Sequence, residues 1–231
     1  MNSKNIAVVL AGGVGSRTGF ETPKQFLKID NKTILEYSLD IFDSHKGVDE
    51  VCIVAREEYH NYIFDIIKRV GYKKIKAVLN AGNERYESTL SALDYYKDYE
   101  DSNLIIHDSA RPLITSDIID SCIEALKKYN AITVAIPVSD TIVEIEDNYI
   151  ENMPNREIMY ANQTPQCFRV YILKEAYKKA LSDKNFKSTD DCKVVHQYLD
   201  NEKVYIVKGS TKNIKFTNRE DLQIIELLMK L

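Results

Sequence analysis

Between Ile6 and Gln25 the chain reads IAVVLAGGVGSRTGFETPKQ. An apolar run, Ile6 to Leu10, suits a strand buried on both faces. Gly12, Gly13 and Gly15 follow it, so the backbone can approach a ligand closely and turn where a Cβ would obstruct. A turn of this kind aims several N–H groups at one point and makes an anion nest. Arg17 and Lys24 lie within reach of it. Glycines plus two cations after a first strand read as a polyphosphate cradle. It is not a P-loop, which needs Gly-Lys-Ser/Thr, because Gly15 is followed by Ser16-Arg17. Nor is it the dinucleotide fingerprint: Thr18 stands where its third glycine belongs, and Thr22-Pro23 blocks an immediate helix.

Further polar groups have the same potential. Asp108 follows the apolar Leu104 to Ile106 in IIHDSARP. A carboxylate there can hold Mg²⁺ against ligand phosphates, since that ion is content with one or two carboxylates plus phosphate oxygens and water. Arg111 could anchor the turn or a ligand, and His107 reads as a structural neighbour rather than a base. In AGNERYES, Gly82 allows backbone approach, and Arg85 and Ser88 are donors at a helix start. Asn155-Arg156 and Gln163-Thr164-Pro165-Gln166 form a polar cluster. Lys215 sits in KNIKFT, read as a short strand over Ile214 to Phe216, and faces either solvent or a cleft. Thr189-Asp190-Asp191 reads as a helix cap with acids in the first turn.

The elements that must position these groups alternate. Apolar strands are expected at 6–10, 51–54, 75–79, 104–106 and 132–136, with helical periodicity at 34–42, 59–70, 84–96 and 116–129. This alternation implies a doubly wound, mostly parallel sheet covered on both faces, with ligands outside the carboxyl ends of its strands. Gly12, the Gly82 to Ser88 stretch and Asp108 all fall at such ends. After Pro137 the rhythm changes: 141–144 and 149–152 alternate about Asp147-Asn148, as in a β-hairpin. The segment 160–168 is extended. Helices at 170–181 and 190–198, a strand at 204–207 and a closing helix from Asn218 complete the chain. The expectation is a single domain over 1–231 with a β-arm at about 139–160.

Composition narrows the function. With 231 residues, 44% hydrophobic and 29% charged, the chain is an ordinary globular protein able to bury a full core. A net charge of −4 gives nucleic-acid binding no support. No stretch approaches the length of a membrane span and no signal-peptide pattern opens the chain, so a cytoplasmic protein is expected. Cys52, Cys122, Cys167 and Cys192 are scattered and read as packing residues.

In order, the blocks LAGGVGSR, PKQFL, GNERYES, HDSARP, SDTI, QTPQCF, STDD and NIKFT resemble the cytidylyltransferases of 2-C-methyl-D-erythritol 4-phosphate and ribitol 5-phosphate over nearly the whole chain. The resemblance implies a Rossmann-like nucleotidyltransferase fold whose inserted β-arm joins a homodimer. It implies CTP in the loop Leu10, Ala11, Gly12 and Gly13, with Gly82, Asn83, Arg85 and Ser88 reading cytidine and Ser109 at the ribose. It makes Asp108 the Mg²⁺ ligand and puts Arg17, Lys24 and Lys215 on the triphosphate. Arg111, Thr141, Arg156, Thr164 and Thr189 would bind a small polyol phosphate, Arg156 coming from the partner subunit's arm. LAGG, Tyr160 where a Trp is usual in the methylerythritol group, and IPVSDTIV favour ribitol 5-phosphate. Ala110 and the Thr189-Asp190-Asp191 run favour methylerythritol phosphate. A transferase of ATP or GTP would share the glycine loop; a silent nucleotide-binding partner would share the fold but would be expected to lack Arg17, Lys24 or Asp108, and all three are present.

Overall fold

Apolar residues alternate along the first strand, and this alternation builds the molecule's two cores. In the computed structural model, residues 3–13, 19–20 and 22–230 are described. Strand β1 (Asn5–Leu10) sends Ile6, Val8 and Leu10 to one face of the sheet and Ala7 and Val9 to the other. A strand with both faces buried must be apolar throughout, because successive side chains point to opposite sides.

The remaining elements follow in order. A hairpin, β2 (Lys28–Ile29) and β3 (Lys32–Thr33), leads to α1 (Ile34–Ser44), β4 (Glu50–Ala55), α2 (His60–Val70), β5 (Ile75–Asn80) and α3 (Arg85–Tyr95). Then come β6 (Asn103–Asp108), α4 (Ser116–Leu126), β7 (Ala131–Pro137), β8 (Glu144–Glu146) and β9 (Tyr149–Asn152). The chain closes with β10 (Tyr160–Arg169), α5 (Val170–Ala180), α6 (Asp191–Tyr198), β11 (Tyr205–Lys208) and α7 (Arg219–Met229). The main sheet has the order β11-β7-β10-β6-β1-β4-β5. It is parallel except for β10, which runs antiparallel between β6 and β7. Residues of α3, α5 and α6 pack on one face; α1, α2 and α4 cover the other.

From β1 the chain moves outward to β4 and β5, then returns to place β6 on the other side of β1. That reversal opens a crevice at the carboxyl ends of β1 and β6, the usual ligand position in such sheets. Leu10 and Asp108 are register partners at its mouth.

Three expectations need correction. Residues 214–216 form no strand but an irregular segment. Its apolar residues are held by other means: Phe216 is fully buried in a third cluster with Ile29, Ile34 and Ile225, and its N–H donates to the Ala110 carbonyl at 2.7 Å. Helix α6 begins at Asp191, and Asp190 is its N-cap, accepting from the Lys193 N–H at 3.1 Å. The expected hairpin forms, but its first strand is Glu144–Glu146 rather than 141–144. Its turn residues Asp147 and Asn148 have φ of 46° and 67°, the left-handed conformations that two-residue hairpin loops require.

Phe168 ties β10 into the sheet and is fully buried. Phe168→Ala should therefore cost about 3–5 kcal/mol, the usual range for such truncations. Denaturant unfolding would read this as a lower midpoint at unchanged slope; a loss below about 1 kcal/mol would contradict the packing described.

Candidate active site

A cavity of about 180 Å³ occupies the crevice, with Gly12, Gly13, Lys24, Gly82, Arg85 and Asp108 on its walls. Leu10, Asn83, Ser88, Ser109 and Lys215 also line it, so most residues expected around the nucleotide meet at one place. Ala11 is buried beside them. Val14 to Thr18, and with them Arg17, lie outside the described residues.

Each wall has a local reason for its shape. A Cβ on Gly12 would lie 2.4 Å from the Cβ of Ala81, and one on Gly82 would lie 2.1 Å from that of Glu87. Glycine at 12 lets the first loop come against Ala81, and glycine at 82 lets its own loop fold tightly onto the start of α3. The buried Gln25 pins the first loop by donating to the Ala11 carbonyl at 2.8 Å. Lys24 stands on a single 3₁₀ turn whose Phe26 packs on Tyr59 and Tyr62. Its Nζ donates to the Phe216 carbonyl at 3.0 Å. The second loop runs into α3, where Glu84 and Glu87 cap the helix reciprocally, and the buried Ser88 accepts from the Gly82 N–H at 3.3 Å. The positive end of α3 thus opens on the cavity, a favourable place for anions.

Asp108 is the electrostatic centre. Its side chain accepts from Lys215 Nζ at 2.6 Å and lies 3.4 Å from Arg85 Nε. Burial favours its neutral form, but Arg85, Lys215 and Arg111 outweigh burial and hold the carboxyl well below the usual range. Burial likewise opposes the charge on Arg85, yet Asp191 and Asp108 more than restore it and raise its pKa. Asp108 is the buried carboxylate of the cavity wall. Among the described residues no cluster of three or more His, Cys, Asp or Glu gathers. A single carboxylate of this kind could hold a Mg²⁺ ion whose other ligands come from phosphates and water.

His107 is fully buried beneath Asp108. Burial pushes its pKa from 6.5 to about 4, so the imidazole is neutral. Its Nε2 faces the Arg111 carbonyl at 3.1 Å and can only donate there. Its Nδ1 must then accept from the Thr164 hydroxyl, 3.0 Å away, and Thr164 Oγ1 in turn accepts from the Asp108 N–H at 3.1 Å. Thr164, expected at the acceptor, is buried at 4% exposure and supports Asp108 from below.

The other expected acceptor residues do not line the cavity within this chain. Arg111 spans two carbonyls, donating to Asn213 at 2.7 Å and Asn162 at 3.4 Å. Thr141 and Thr189 are exposed; so is Arg156, which donates to the Ser139 carbonyl at 3.0 Å. Sequence reasoning missed Gln25 and Glu84 on the wall and the support given by Asn213 and Asp191. The second acid of Thr189-Asp190-Asp191 was the available signal: a cap needs only the first.

This chain is similar to known proteins in sequence and fold. A family model for 2-C-methyl-D-erythritol 4-phosphate cytidylyltransferase, IspD, matches residues 5–231. The bifunctional ribulose 5-phosphate reductase/CDP-ribitol pyrophosphorylase Bcs1 of Haemophilus influenzae is 44% identical over 231 residues, which are 99% of this chain and 48% of that protein. This chain thus spans about half the length of that relative. The 2-C-methyl-D-erythritol 4-phosphate cytidylyltransferase of Thermobifida fusca is 39% identical over 230 residues, 97% of this chain and 92% of that one. The crystal structure of 4-diphosphocytidyl-2C-methyl-D-erythritol synthase from Anaerococcus prevotii superposes with a TM-score of 0.86 at 29% identity, covering 99% of this chain and 97% of that one.

A neutral buried imidazole makes stability depend on pH. Its folded pKa is depressed, so its contribution is complete above about pH 6.5 and is lost as pH falls toward about 4. Wild type should lose stability across that window. His107→Asn, less stable at pH 7, should lose less; equal pH slopes in denaturant titrations would contradict the assignment.

Proposed function

We propose an acceptor for a chain that belongs to the 2-C-methyl-D-erythritol 4-phosphate cytidylyltransferase family and is therefore a nucleotidyltransferase: D-ribitol 5-phosphate, which with CTP gives CDP-ribitol and pyrophosphate. The observation that carries this choice is the 44% identity, over nearly the whole chain, to a protein named in part as a CDP-ribitol pyrophosphorylase. Relatives named for methylerythritol phosphate are 35–39% identical. That protein's reductase activity has no part in this reading. The LAGG loop and Tyr160 point the same way.

The chemistry follows from the site. The acceptor's phosphate oxygen attacks the α-phosphorus of CTP, and the bond to pyrophosphate breaks. The acceptor phosphate is already anionic at neutral pH, so no general base is needed, and neutral His107 is not asked to act as one. Catalysis is alignment and charge neutralisation at phosphorus. The glycine loop and the start of α3 supply N–H donors. Lys24 and Arg17 neutralise the triphosphate. Lys215, with a side chain 37% exposed, is able to turn from Asp108 to a phosphate. Asp108 would hold Mg²⁺ arriving with the nucleotide, and the bound ion adds positive charge where the transition state needs it.

The acceptor half of the site is completed by a second copy of the chain. The arm leaves Ile145 68%, Tyr149 78%, Ile150 60%, Met153 58% and Ile158 74% exposed. A two-stranded hairpin is marginal alone, and an exposed apolar surface of this kind marks an interface. In a homodimer through this arm, Arg156 and Thr141 serve the neighbouring subunit's acceptor phosphate.

Pyrophosphate release with CTP and Mg²⁺ should be faster with D-ribitol 5-phosphate than with 2-C-methyl-D-erythritol 4-phosphate. The reverse order would transfer the chain to isoprenoid precursor synthesis. Lys24→Ala should lower kcat at least ~10²-fold, the scale of one transition-state donor, and near-normal turnover would remove Lys24 from the mechanism. Mixing Arg156→Ala with Lys24→Ala subunits should recover activity that neither has alone, because a mixed dimer holds one intact site. Subunit exchange without recovery would place Arg156 outside a shared site.

A further inference from the structure

Asp191 has no part in the mechanism above, yet it is a fully buried carboxylate joined to the site. Its Oδ2 accepts from Arg85 Nη1 and its Oδ1 from the Tyr177 hydroxyl. Its own N–H donates to Gln166 Oε1 at 3.2 Å, while Gln166 Nε2 donates to Asp190 Oδ2 at 2.6 Å. Gln166 is itself buried on β10, in register with Ile106 of β6. The start of α6 is therefore clamped to the strand that lies beside the one bearing Asp108.

Arg85 is shared unequally. Nη1 is spent on Asp191, Nε makes a long contact of 3.4 Å with Asp108, and Nη2 is buried with no partner among the described residues. A guanidinium with one carboxylate to itself takes it side-on through two N–H groups. Here that would close Arg85 onto Asp108 Oδ1, the oxygen that Lys215 does not hold. Asp191 prevents it by holding the other end of the fork. Buried donors rarely go unpaired in folded proteins, and Arg85 lines the cavity with a side chain 20% exposed.

We propose that Asp191 is a positioning residue for nucleotide binding: it holds the Arg85 guanidinium back from Asp108, so that Arg85 keeps a donor for the nucleotide and Asp108 keeps an oxygen for the phosphate-borne cation. The inference rests on the cytidylyltransferase reading. Asp191 acts only through Arg85 and touches no substrate.

The test is CTP affinity, measured by titration calorimetry with Mg²⁺, for wild type, Asp191→Asn, Arg85→Gln and the double variant. Asp191→Asn should weaken CTP binding at least about 10-fold, the scale of one hydrogen bond to a charged group, and should raise KM for CTP more than it lowers kcat. The double variant should bind CTP as Arg85→Gln does. Unchanged affinity in a folded Asp191→Asn protein would overturn the proposal. So would a double variant weaker than Arg85→Gln, since Asp191 would then act by another route. If Asp191→Asn alone does not fold, the Arg85→Gln background lacks the stranded cation and carries the comparison: equal affinities sustain the proposal, and a further loss overturns it. Wild type that binds no CTP would overturn the nucleotide reading and this inference together; wild type that binds while Asp191→Asn binds equally well overturns the inference alone.

Discussion

A carboxylate is held ionised at the end of a buried strand, and much of the molecule is arranged around that fact. Asp108 is 8% exposed, and burial works against its charged form. It keeps its charge because Lys215 and Arg85 approach from two sides. A buried charge is tolerated only when it is paired and hydrogen-bonded, so both cations must be delivered reliably. Lys215 comes from an irregular segment fixed by two buried anchors, Asn213 and Phe216. Arg85 comes from the first turn of α3 and is steadied by Asp191.

Strand β10 links these parts. It is the one antiparallel strand of the main sheet, and it enters the sheet directly from the hairpin arm. Thr164 and Gln166 on it support Asp108 and Asp191 respectively. Its register with β7 shifts between Asn162 and Gln166, which lets Asn162 take its own contacts with Thr133 and Asp190. The apolar arm and the supports of the charged cluster are therefore one continuous stretch of backbone.

Three backbone turns converge on the cavity, which has a volume of about 180 Å³. Gly12 allows an approach to Ala81 that any side chain would forbid. Cations and N–H groups then face the same space, which suits a ligand whose charge is spread over several phosphates. The imidazole beneath this space is neutral and fully engaged, so His107 offers it no base.

By itself the sequence determined the alternating strands and helices, the parallel character of the sheet, the hairpin after Pro137 and the polar motifs at the strand ends. These are local properties: a run such as Ile6 to Leu10 reports its burial on both faces, and Gly12 reports a turn, without reference to distant residues. The tertiary structure decided who pairs with whom. Asp191 looked like a second cap acid and became the partner of Arg85, 106 positions away. Ile214 to Phe216 had the alternation of a strand, yet its backbone is bonded to Ala110 and Lys24 rather than to a ladder. Thr164 looked like a ligand-facing hydroxyl and lies beneath Asp108 instead. Ion pairs and side-chain hydrogen bonds are fixed by proximity in space, and one-dimensional periodicity carries no record of that.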